Sequence, residues 1–281
     1  MAHIHPSAVV EDGADLADDV EVGPFCHVAA GASIGPGTRL ISHVSVHWGT
    51  TIGAYNTIWP YAMIGADPQD LKYQGENSEL IIGDYNVIRE STSIHRGTAG
   101  DQNVTRIGSH NLIMAYAHIG HDCIMGDHIL ITNAVQLAGH ILVEDHASIG
   151  GATAVHHFVS IGQYAYIGGM TRIVHDVPPF MFVEGNPAKV RGVNVIGLRR
   201  HTFPEATEEH LKDAWRRLYK RTTQPNGVGA FASALRTLED DYPDDWCIRA
   251  LIDAIRRSEA GVHGRYRESL RQDNRYSNPV K

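Results

Sequence analysis

The residues best suited to chemistry in this chain are its histidines, of which there are 18 among 281 residues. Ten of them fall between residues 95 and 175, namely His95, His110, His118, His121, His128, His140, His146, His156, His157 and His175. A neutral imidazole is a common metal ligand, and its ordinary pKa of ~6.5 also suits it to take a proton from a hydroxyl at neutral pH. The cluster therefore predicts either a metal site or an acid–base site.

One of these histidines directly precedes an aspartate, forming the pair His121–Asp122. An adjacent carboxylate can hold an imidazole in the single tautomer that a general base needs. His121, His140 and His157 are spaced by 19 and 17 residues. Such spacing would stack them along one edge of a structure that repeats about every 18 residues.

The chain carries such a repeat, because an aliphatic residue returns at every sixth position. The series runs from Ile4 to Ile64, from Ile82 to Ile94 and, after a shift of one residue, from Ile107 to Ile173. A period of six is neither helical nor that of an alternating strand; it is typical of a parallel β-helix in which three hexads make one coil. The sequence predicts an all-β, left-handed parallel β-helix over residues 1–190, with about nine coils and a length on the order of 40 Å.

Two further positions of the repeat, one occupied by asparagine and one by glycine, lead to expectations. Asn56, Asn86 and Asn111 share an inward slot and are expected to form an internal amide ladder. Glycine often follows the aliphatic residue, as at Gly23 and Gly53, where the corner of the coil is expected to need a positive φ.

Two segments, 65–81 and 95–106, lack the repeat and are expected to form external loops on the working face. Consecutive prolines at 178 and 179 end the repeat. Residues 191–281 are predicted to be a connector followed by a small C-terminal α-helical domain. Exposed flat faces of identical prisms pack well against one another, so a homotrimer is expected.

The overall composition excludes several classes of protein. A net charge of −8 argues against nucleic acid as the main partner. No apolar run reaches membrane-spanning length, and the first residues enter the repeat without a signal peptide. The three cysteines have no metal-ligand spacing and are interpreted as reduced core residues. These features predict a cytoplasmic protein with no membrane span.

Several motifs in and around the loops resemble those of one family, the UDP-N-acetylglucosamine O-acyltransferases that begin lipid A synthesis. The matching segments are residues 65–76, 89–98, 117–123, 137–140, 154–158 and 192–200, which include the sequences Ala-His-Ile-Gly-His-Asp-Cys and Leu-Ala-Gly-His. The resemblance covers nearly the whole chain. It implies transfer of a 3-hydroxyacyl chain from acyl carrier protein to the 3-hydroxyl of UDP-N-acetylglucosamine, without a bound cofactor or metal.

The resemblance also implies roles for individual residues. His121 matches the general base, Asp122 would orient it, and the backbone N–H of Gly139 would stabilise the oxyanion. The implied substrate-binding residues are Asp70, Lys72, His95, His118, His140, His156, Gly169, Asn194 and Arg200. Asp70 and Lys72 would reach the substrates from a neighbouring subunit, and Asn194 and Arg200 would hold the nucleotide. A basic segment of the tail could dock the acidic carrier protein; its residues are Arg216, Arg217, Lys220 and Arg221.

The chain departs from the family pattern at Gly120, His157 and His201. These departures leave open an N-acyltransferase acting on a UDP-3-amino sugar. A second alternative is a zinc enzyme like the γ-class carbonic anhydrases, which use the same prism and a three-histidine site. A trimeric scaffold without catalytic activity is the third.

Overall fold

The structure, a computed structural model, describes residues 1–220 and 227–271. From His3 to Ile173 the chain winds into a parallel β-helix, and each coil adds one short strand to each of three sheets. Equivalent aliphatic residues of successive coils lie side by side, as Ile113 does beside Ile131. From Val22 onward their side chains are excluded from solvent and form one continuous core along the prism. The period of six is thus confirmed as the repeat of a parallel β-helix.

The strands of the three sheets have the following bounds. Sheet 1 contains His3–Ile4, Glu21–Val22, Arg39–Leu40, Thr57–Ile58, Val87–Ile88, Leu112–Ile113, Leu130–Ile131, Ser148–Ile149, Tyr166–Ile167, Met181–Glu184 and Lys189–Val193. Sheet 2 contains Val9–Val10, His27–Val28, Ser45–Val46, Met63–Ala66, Ser93–His95, His118–Ile119, Gln136–Leu137, Ala154–Val155 and Arg172–Ile173. Sheet 3 contains Asp15–Leu16, Ser33–Ile34, Thr50–Ile52, Glu79–Ile82, Val104–Ile107, Ile124–Met125, Leu142–Val143 and Ser160–Ile161.

The chain crosses three edges in each coil, and the edges are named here by the sheets that they join. Both external loops leave from the 2–3 edge, because they connect strands of sheet 2 to strands of sheet 3. The first loop comprises residues 67–78 and the second residues 96–103. Both are shorter than the predicted segments 65–81 and 95–106, because the flanking strands include the ends of those segments. The two loops therefore project above one edge of the prism.

The expectation that glycines after the aliphatic residue need a positive φ is wrong for Gly23 and Gly53. The positive φ falls two residues later, on Phe25 (58°) and Tyr55 (56°). Gly23 is required for a different reason, because a Cβ there would lie 1.9 Å from the carbonyl oxygen of Ile41 in the next coil. Close contact between coils, rather than backbone conformation, excludes a side chain at this position.

The predicted amide ladder is confirmed inside the prism. The side-chain oxygen of Asn56 accepts hydrogen bonds from the backbone N–H and the side-chain amide of Asn86, at 2.8 and 3.0 Å. The side-chain oxygen of Asn86 accepts the backbone N–H of Asn111 at 2.9 Å. Each asparagine thus satisfies a backbone donor of the next coil, in a core where no water reaches it.

We expect Asn86→Ala to lower the free energy of unfolding by about 1–3 kcal/mol, because the buried N–H of Asn111 would lose its acceptor. Urea unfolding followed by circular dichroism would measure the change. An unfolding midpoint equal to that of the wild type would contradict a stabilising role for the ladder.

The C-terminal helices cover the end of the prism. They are α1 (Val195–Arg200), α2 (Glu205–Trp215) with a π-helical turn Arg216–Lys220, α3 (Gly227–Asp241), α4 (Trp246–Ala260) and α5 (Tyr266–Ser269). Their apolar faces form a second core around Phe180 and Met181, which follow the last coil. Within residues 1–220 and 227–271, no helix is both long enough and apolar enough to span a lipid bilayer.

Candidate active site

The pair His121–Asp122 lies on the 2–3 edge, directly beneath the two external loops. Nδ1 of His121 is 2.8 Å from the Oδ2 atom of Asp122, and both side chains are almost fully buried. Asp122 has a φ of 59°, which aspartate tolerates better than most residues. The corner of the coil therefore turns the carboxylate back toward the neighbouring imidazole.

The second loop fixes the carboxylate of Asp122. Its two oxygens accept hydrogen bonds from the backbone N–H of Thr98 at 2.8 Å and from the hydroxyl of the same residue at 2.7 Å. The hydroxyl of Thr105 accepts the backbone N–H of Asp122 at 2.8 Å. With the carboxylate held in this way, Nδ1 of His121 is kept as the donor and Nε2 is left as the acceptor.

A groove of about 340 Å³ runs over sheet 2 beside this pair. Besides His121, the histidines that line it are His95, His118 and His157. The spacing argument for one edge is confirmed, because the rings of His121 and His140 are 4.9 Å apart and those of His121 and His157 are 6.5 Å apart. The groove is thus lined by imidazoles that can bind polar groups or move protons.

Three of these imidazoles, those of His95, His118 and His157, are held neutral because burial lowers their pKa. Burial, followed by the charge of neighbouring His118, lowers the pKa of His95 to about 4. Burial also lowers the pKa of His118, and the charge of neighbouring His121 has a smaller effect in the same direction. Nδ1 of His118 lies 2.8 Å from the hydroxyl of Ser93, whereas the buried Nδ1 of His95 has no partner among the described residues. His95 therefore carries a buried ring nitrogen without a protein hydrogen-bond partner in the described residues.

The depressed pKa of His95 predicts that the protein loses stability in mild acid. The unfolded state binds a proton below about pH 6.5, but the folded state does not until about pH 4. The stabilisation is complete above pH 6.5 and declines as the pH falls toward 4, by up to about 3 kcal/mol. Urea unfolding at pH 7 and pH 4.5 should show a smaller acid loss for His95→Gln, and an equal loss would contradict this assignment.

Gly139 lies one coil beyond His121 and packs against its ring. A Cβ at this position would be 2.6 Å from Cε1 and 2.8 Å from Nε2 of His121, so only glycine leaves room for the imidazole. In the described part of the chain, the backbone N–H of Gly139 donates to no protein acceptor. It is therefore available to a ligand in the groove.

The direction of that N–H can be inferred from equivalent turns. At the same position, two residues after the inward aliphatic, the N–H of Ala54 is bound by the carboxylate of Asp84 at 2.7 Å. The N–H of Ser109 is likewise bound by Asp127 at 2.6 Å. This position of the coil thus presents its N–H outward to an anionic oxygen, and at Gly139 no carboxylate of the described residues fills that place.

His140 follows Gly139 and borders two smaller cavities. One of about 50 Å³ also contacts Asp70, Lys72, Thr98 and Gly100, so the two loops and His140 meet within a single protomer. The carboxylate of Asp70 accepts the backbone N–H of Lys72 at 3.0 Å. The predicted residues of the first loop therefore lie on the same edge as His121.

Sequence reasoning missed Arg96, whose side chain is completely buried. It donates to the carbonyl of Gly65 and to the carboxylate of Asp67, and it lies 4.0 Å above the ring of Trp48. A further bond of 3.2 Å reaches the hydroxyl of Tyr73. Arg96 thus joins the two loops. Two signals in the sequence point to it, its place in the interrupted segment 95–106 and its place in the family segment 89–98.

Other predicted site residues lie away from this edge. Asn194 caps helix α1 through a 3.0 Å bond to the N–H of Gly197, and it donates to the carbonyl of Tyr164 on the 3–1 edge. Arg200, on the same helix, is exposed. Gly169 lies on the 1–2 edge, exposed next to Met170. Within one protomer the structure does not bring these residues to His121.

His156 lies next to the groove but is turned from it. Its Nδ1 is 3.1 Å from the carbonyl oxygen of His157, and His157 is the residue that lines the groove. His110, His128 and His146 belong to the 3–1 edge, where their rings stack in parallel 4.9 and 4.8 Å apart. The histidines from His95 to His157 are therefore divided between sheet 2 with its 2–3 edge and the 3–1 edge.

The basic segment of the tail falls on the π-helical turn. Arg217 is paired with Asp213 and Asp241, whereas Arg216 and Lys220 are exposed. Arg221 lies outside the described residues. Two of the four predicted docking charges thus face solvent.

The left-handed parallel β-helix places the chain in the class of hexapeptide-repeat proteins, and the His–Asp pair at one edge suits it to acid–base chemistry. Comparison with known proteins identifies the family. The chain is 50% identical over 265 residues to an acyl-(acyl-carrier-protein)–UDP-N-acetylglucosamine O-acyltransferase of Psychrobacter sp., covering 93% of this chain and 99% of that protein. It is 45% identical over 262 residues to the protein of the same name from Saccharophagus degradans, with the same coverage. The chain belongs to the UDP-N-acetylglucosamine O-acyltransferase family.

Two further comparisons agree with this assignment. The crystal structure of the UDP-N-acetylglucosamine O-acyltransferase from Moraxella catarrhalis superimposes with a TM-score of 0.83 and 41% identity, covering 89% of this chain and 95% of that one. A family model described as UDP N-acetylglucosamine O-acyltransferase, domain 2, matches residues 176–263. The predicted fold class and family are therefore confirmed.

Proposed function

We propose that this protein transfers a 3-hydroxyacyl chain from acyl carrier protein to the 3-hydroxyl of UDP-N-acetylglucosamine, the first step of lipid A biosynthesis. Relatives named for this activity match nearly the whole chain. The observation that carries the chemistry is the packing of the His121 ring on Gly139. It places the free Nε2 of the base beside the outward backbone N–H of Gly139, which has no acceptor among the described residues.

In the proposed mechanism, Nε2 of His121 takes the proton of the sugar 3-hydroxyl as its oxygen attacks the thioester carbonyl carbon. The C–O bond forms, and the carbonyl oxygen becomes an oxyanion that accepts the N–H of Gly139. When the tetrahedral intermediate collapses, the C–S bond breaks and the leaving thiolate takes the proton from the imidazolium. Asp122 stabilises the imidazolium throughout, because its carboxylate is already fixed by Thr98.

A direct transfer fits the nearby cysteine better than an acyl-enzyme does. Cys123 follows Asp122, but its thiol is buried and burial raises its pKa to about 12. The thiolate that a nucleophile needs is therefore strongly disfavoured at neutral pH. The three cysteines are all buried free thiols, which supports a reducing compartment, and we propose the cytoplasm.

We propose a homotrimer because the predicted site is incomplete in one protomer. Asn194 and Arg200 lie toward the 3–1 edge, whereas His121 lies on the 2–3 edge. Packing of identical prisms would bring one edge of each protomer to another edge of its neighbour. Large exposed apolar side chains along the 1–2 edge, such as Tyr61, Tyr116 and Met170, also favour burial against a second copy.

We expect sedimentation equilibrium of the purified protein to give the mass of three chains. Arg200→Ala should raise KM for the UDP-sugar while the mass stays trimeric, since arginine suits diphosphate oxygens. A monomeric mass with full activity would contradict the assembly, and an unchanged KM would remove Arg200 from the nucleotide site.

The acceptor and the carrier surface are finer points of the proposal. His157 lines the groove where the sugar would lie, so the O-acyl and N-acyl alternatives are separated by assaying UDP-N-acetylglucosamine against its 3-amino analogue. Arg216 and Lys220 are exposed on the π-helical turn and supply positive charge for the acidic carrier protein.

The zinc alternative predicted a site of three histidines, but the group among the described residues that could hold a metal ion consists of two histidines and an aspartate. Ligand atoms of His121, Asp122 and His140 lie within 4.8 Å of one another. Metal analysis of the purified protein separates the two functions, because stoichiometric zinc that is needed for turnover would overturn the metal-free mechanism.

A further inference from the structure

His140 is held on several sides by groups that the proposed mechanism does not yet use. Its Nδ1 is 2.8 Å from Oδ2 of Asp101, a residue of the second loop. One face of its ring stacks on Phe158, with centroids 4.3 Å apart and planes inclined by 8°. Its plane is nearly perpendicular, at 89°, to that of His121. The ring orientation is therefore set by its neighbours.

The carboxylate of Asp101 is partly shielded, with 26% of its side chain exposed. Its hydrogen bond to His140, followed by the charges of His140 and Arg267, lowers its pKa despite the opposing effect of burial. Asp101 is therefore ionised near neutral pH and accepts from His140. Nδ1 of His140 is thus the donor, and Nε2 is left as the acceptor.

A second carboxylate lies close to the same nitrogen. Nδ1 of His140 is 3.9 Å from Oδ2 of Asp122, the oxygen that also binds Nδ1 of His121. Without Asp101, the nearest acceptor left for Nδ1 of His140 would be the partner of the catalytic base. Asp101 thus keeps the two imidazoles on separate carboxylates.

The C-terminal helix α5 completes the arrangement. Nε of Arg267 donates to the backbone carbonyl of His140 at 2.9 Å, and its Nη2 is 3.8 Å from Oδ2 of Asp101. The segment before it is tied to the prism, because Arg265 donates to the carbonyl of Val174 and the N–H of Tyr266 to Asp176. Arg267, which lies 127 positions further along the chain, therefore fixes both His140 and the carboxylate of Asp101.

We propose that Asp101 and Arg267 are positioning residues for the acyl transfer, which hold His140 in its Nδ1–H tautomer and keep it from competing for Asp122. This inference rests on the proposed function, because it assigns the two residues to the same reaction. The C-terminal segment thereby belongs to the active-site assembly, although it lies far from His140 in sequence.

The test compares Asp101→Ala, Asp101→Asn and Arg267→Ala in the full-length protein, with kcat and KM measured for UDP-N-acetylglucosamine and an acyl carrier protein thioester. Asp101→Ala should lower kcat by about 10–100-fold, because a misplaced ring costs rate more than binding. Asp101→Asn should recover most of this loss, since its amide oxygen can accept from Nδ1. Arg267→Ala should lower kcat in the same direction, by a smaller factor.

Two readouts separate positioning from a merely structural role. Nitrogen-15 NMR of labelled histidine should show unchanged Nδ1–H signals of His140 and His121 in Asp101→Asn. In Asp101→Ala both signals should shift, because the two rings then share the carboxylate of Asp122. The titratable and charged groups nearest to His140 are Asp101, Asp122, His121, His157 and Arg267. Asp70, Lys72, Glu76 and Arg271 line the two cavities that His140 borders. Since Asp101→Asn removes one negative charge from this set, the acid limb of kcat/KM should move to lower pH.

The control is Glu11→Gln, which alters a carboxylate that binds His27 at 2.9 Å on the exposed surface and should leave the kinetics unchanged. If the wild-type protein is active and Asp101→Ala has the same kcat and the same imidazole NMR signals, the positioning role is overturned while the proposed function stands. A folded wild-type protein without transfer activity would overturn the proposed function itself.

Discussion

Replacing His121 with alanine is expected to lower kcat for acyl transfer by about 10²–10⁴-fold. The imidazole takes the proton from the attacking sugar hydroxyl in the proposed mechanism, and alanine leaves that hydroxyl without a base. KM values should change much less, because the other imidazoles of the groove remain. Product formation at saturating UDP-sugar and acyl carrier protein thioester, followed by mass spectrometry, measures the effect.

The matched control is His27→Ala. His27 lies on sheet 2, the sheet that carries the groove, and is likewise hydrogen-bonded to a carboxylate, that of Glu11. It lies several coils away from the groove. This variant should retain the wild-type rate. If His121→Ala kept more than about a tenth of the wild-type kcat with a native circular dichroism spectrum, another residue would have to be the base.

Adding a single methyl group at Gly139 should be nearly as damaging. The Cβ of Gly139→Ala would lie 2.6 Å from Cε1 of His121, and the ring must move to avoid it. Because a displacement of about 1 Å can cost 10²-fold in rate, we expect kcat to fall by about 10²-fold. The backbone N–H is retained in this variant, so the loss would report the position of the base rather than the removal of the oxyanion donor.

Gly151→Ala provides the comparison for this substitution. Gly151 occupies the same place in its turn, two residues after an inward aliphatic. Its Cβ would meet the carbonyl oxygen of Asn133 at 3.3 Å and the hydroxyl of Thr132 at 3.6 Å, both farther away than the ring of His121 is from a Cβ at Gly139. Both variants should unfold at similar temperatures, and only Gly139→Ala should lose turnover. Wild-type kcat in Gly139→Ala would show that close packing of the ring on Gly139 has no catalytic role.

Much of the fold could be predicted because the repeat is local. Each inward aliphatic, such as Ile113, needs only its neighbours in sequence to mark one face of a coil. The alignment of His121 with His140 and His157 follows from the same arithmetic. The family motifs lie on or beside these coils, so the resemblance led to the same edge of the prism.

The structure was needed to show that the histidines lie on different edges of the prism, although the repeat already indicates which of them are aligned. His110, His128 and His146 are also 18 residues apart, yet they stack on the 3–1 edge and line no part of the groove. Counting histidines in one stretch of sequence therefore overestimated the site.

The loops and the tail could not be placed by periodicity, because they interrupt or follow the repeat. The bonds of Thr98 to Asp122, of Arg96 to Asp67 and of Arg267 to His140 join segments that are distant in sequence. No pattern of residue types specifies such pairs.

The amino-acid sequence by itself determined the prism, its hexapeptide register and the edge that carries His121, since each depends on an inward or outward choice repeated every six residues. Only the tertiary structure decided which loop group holds Asp122, which carboxylate holds His140 and which predicted binding residues lie on other edges. The physical reason is that a repeat restricts each coil relative to the next, whereas side-chain contacts between loops and the tail depend on the whole path of the folded chain.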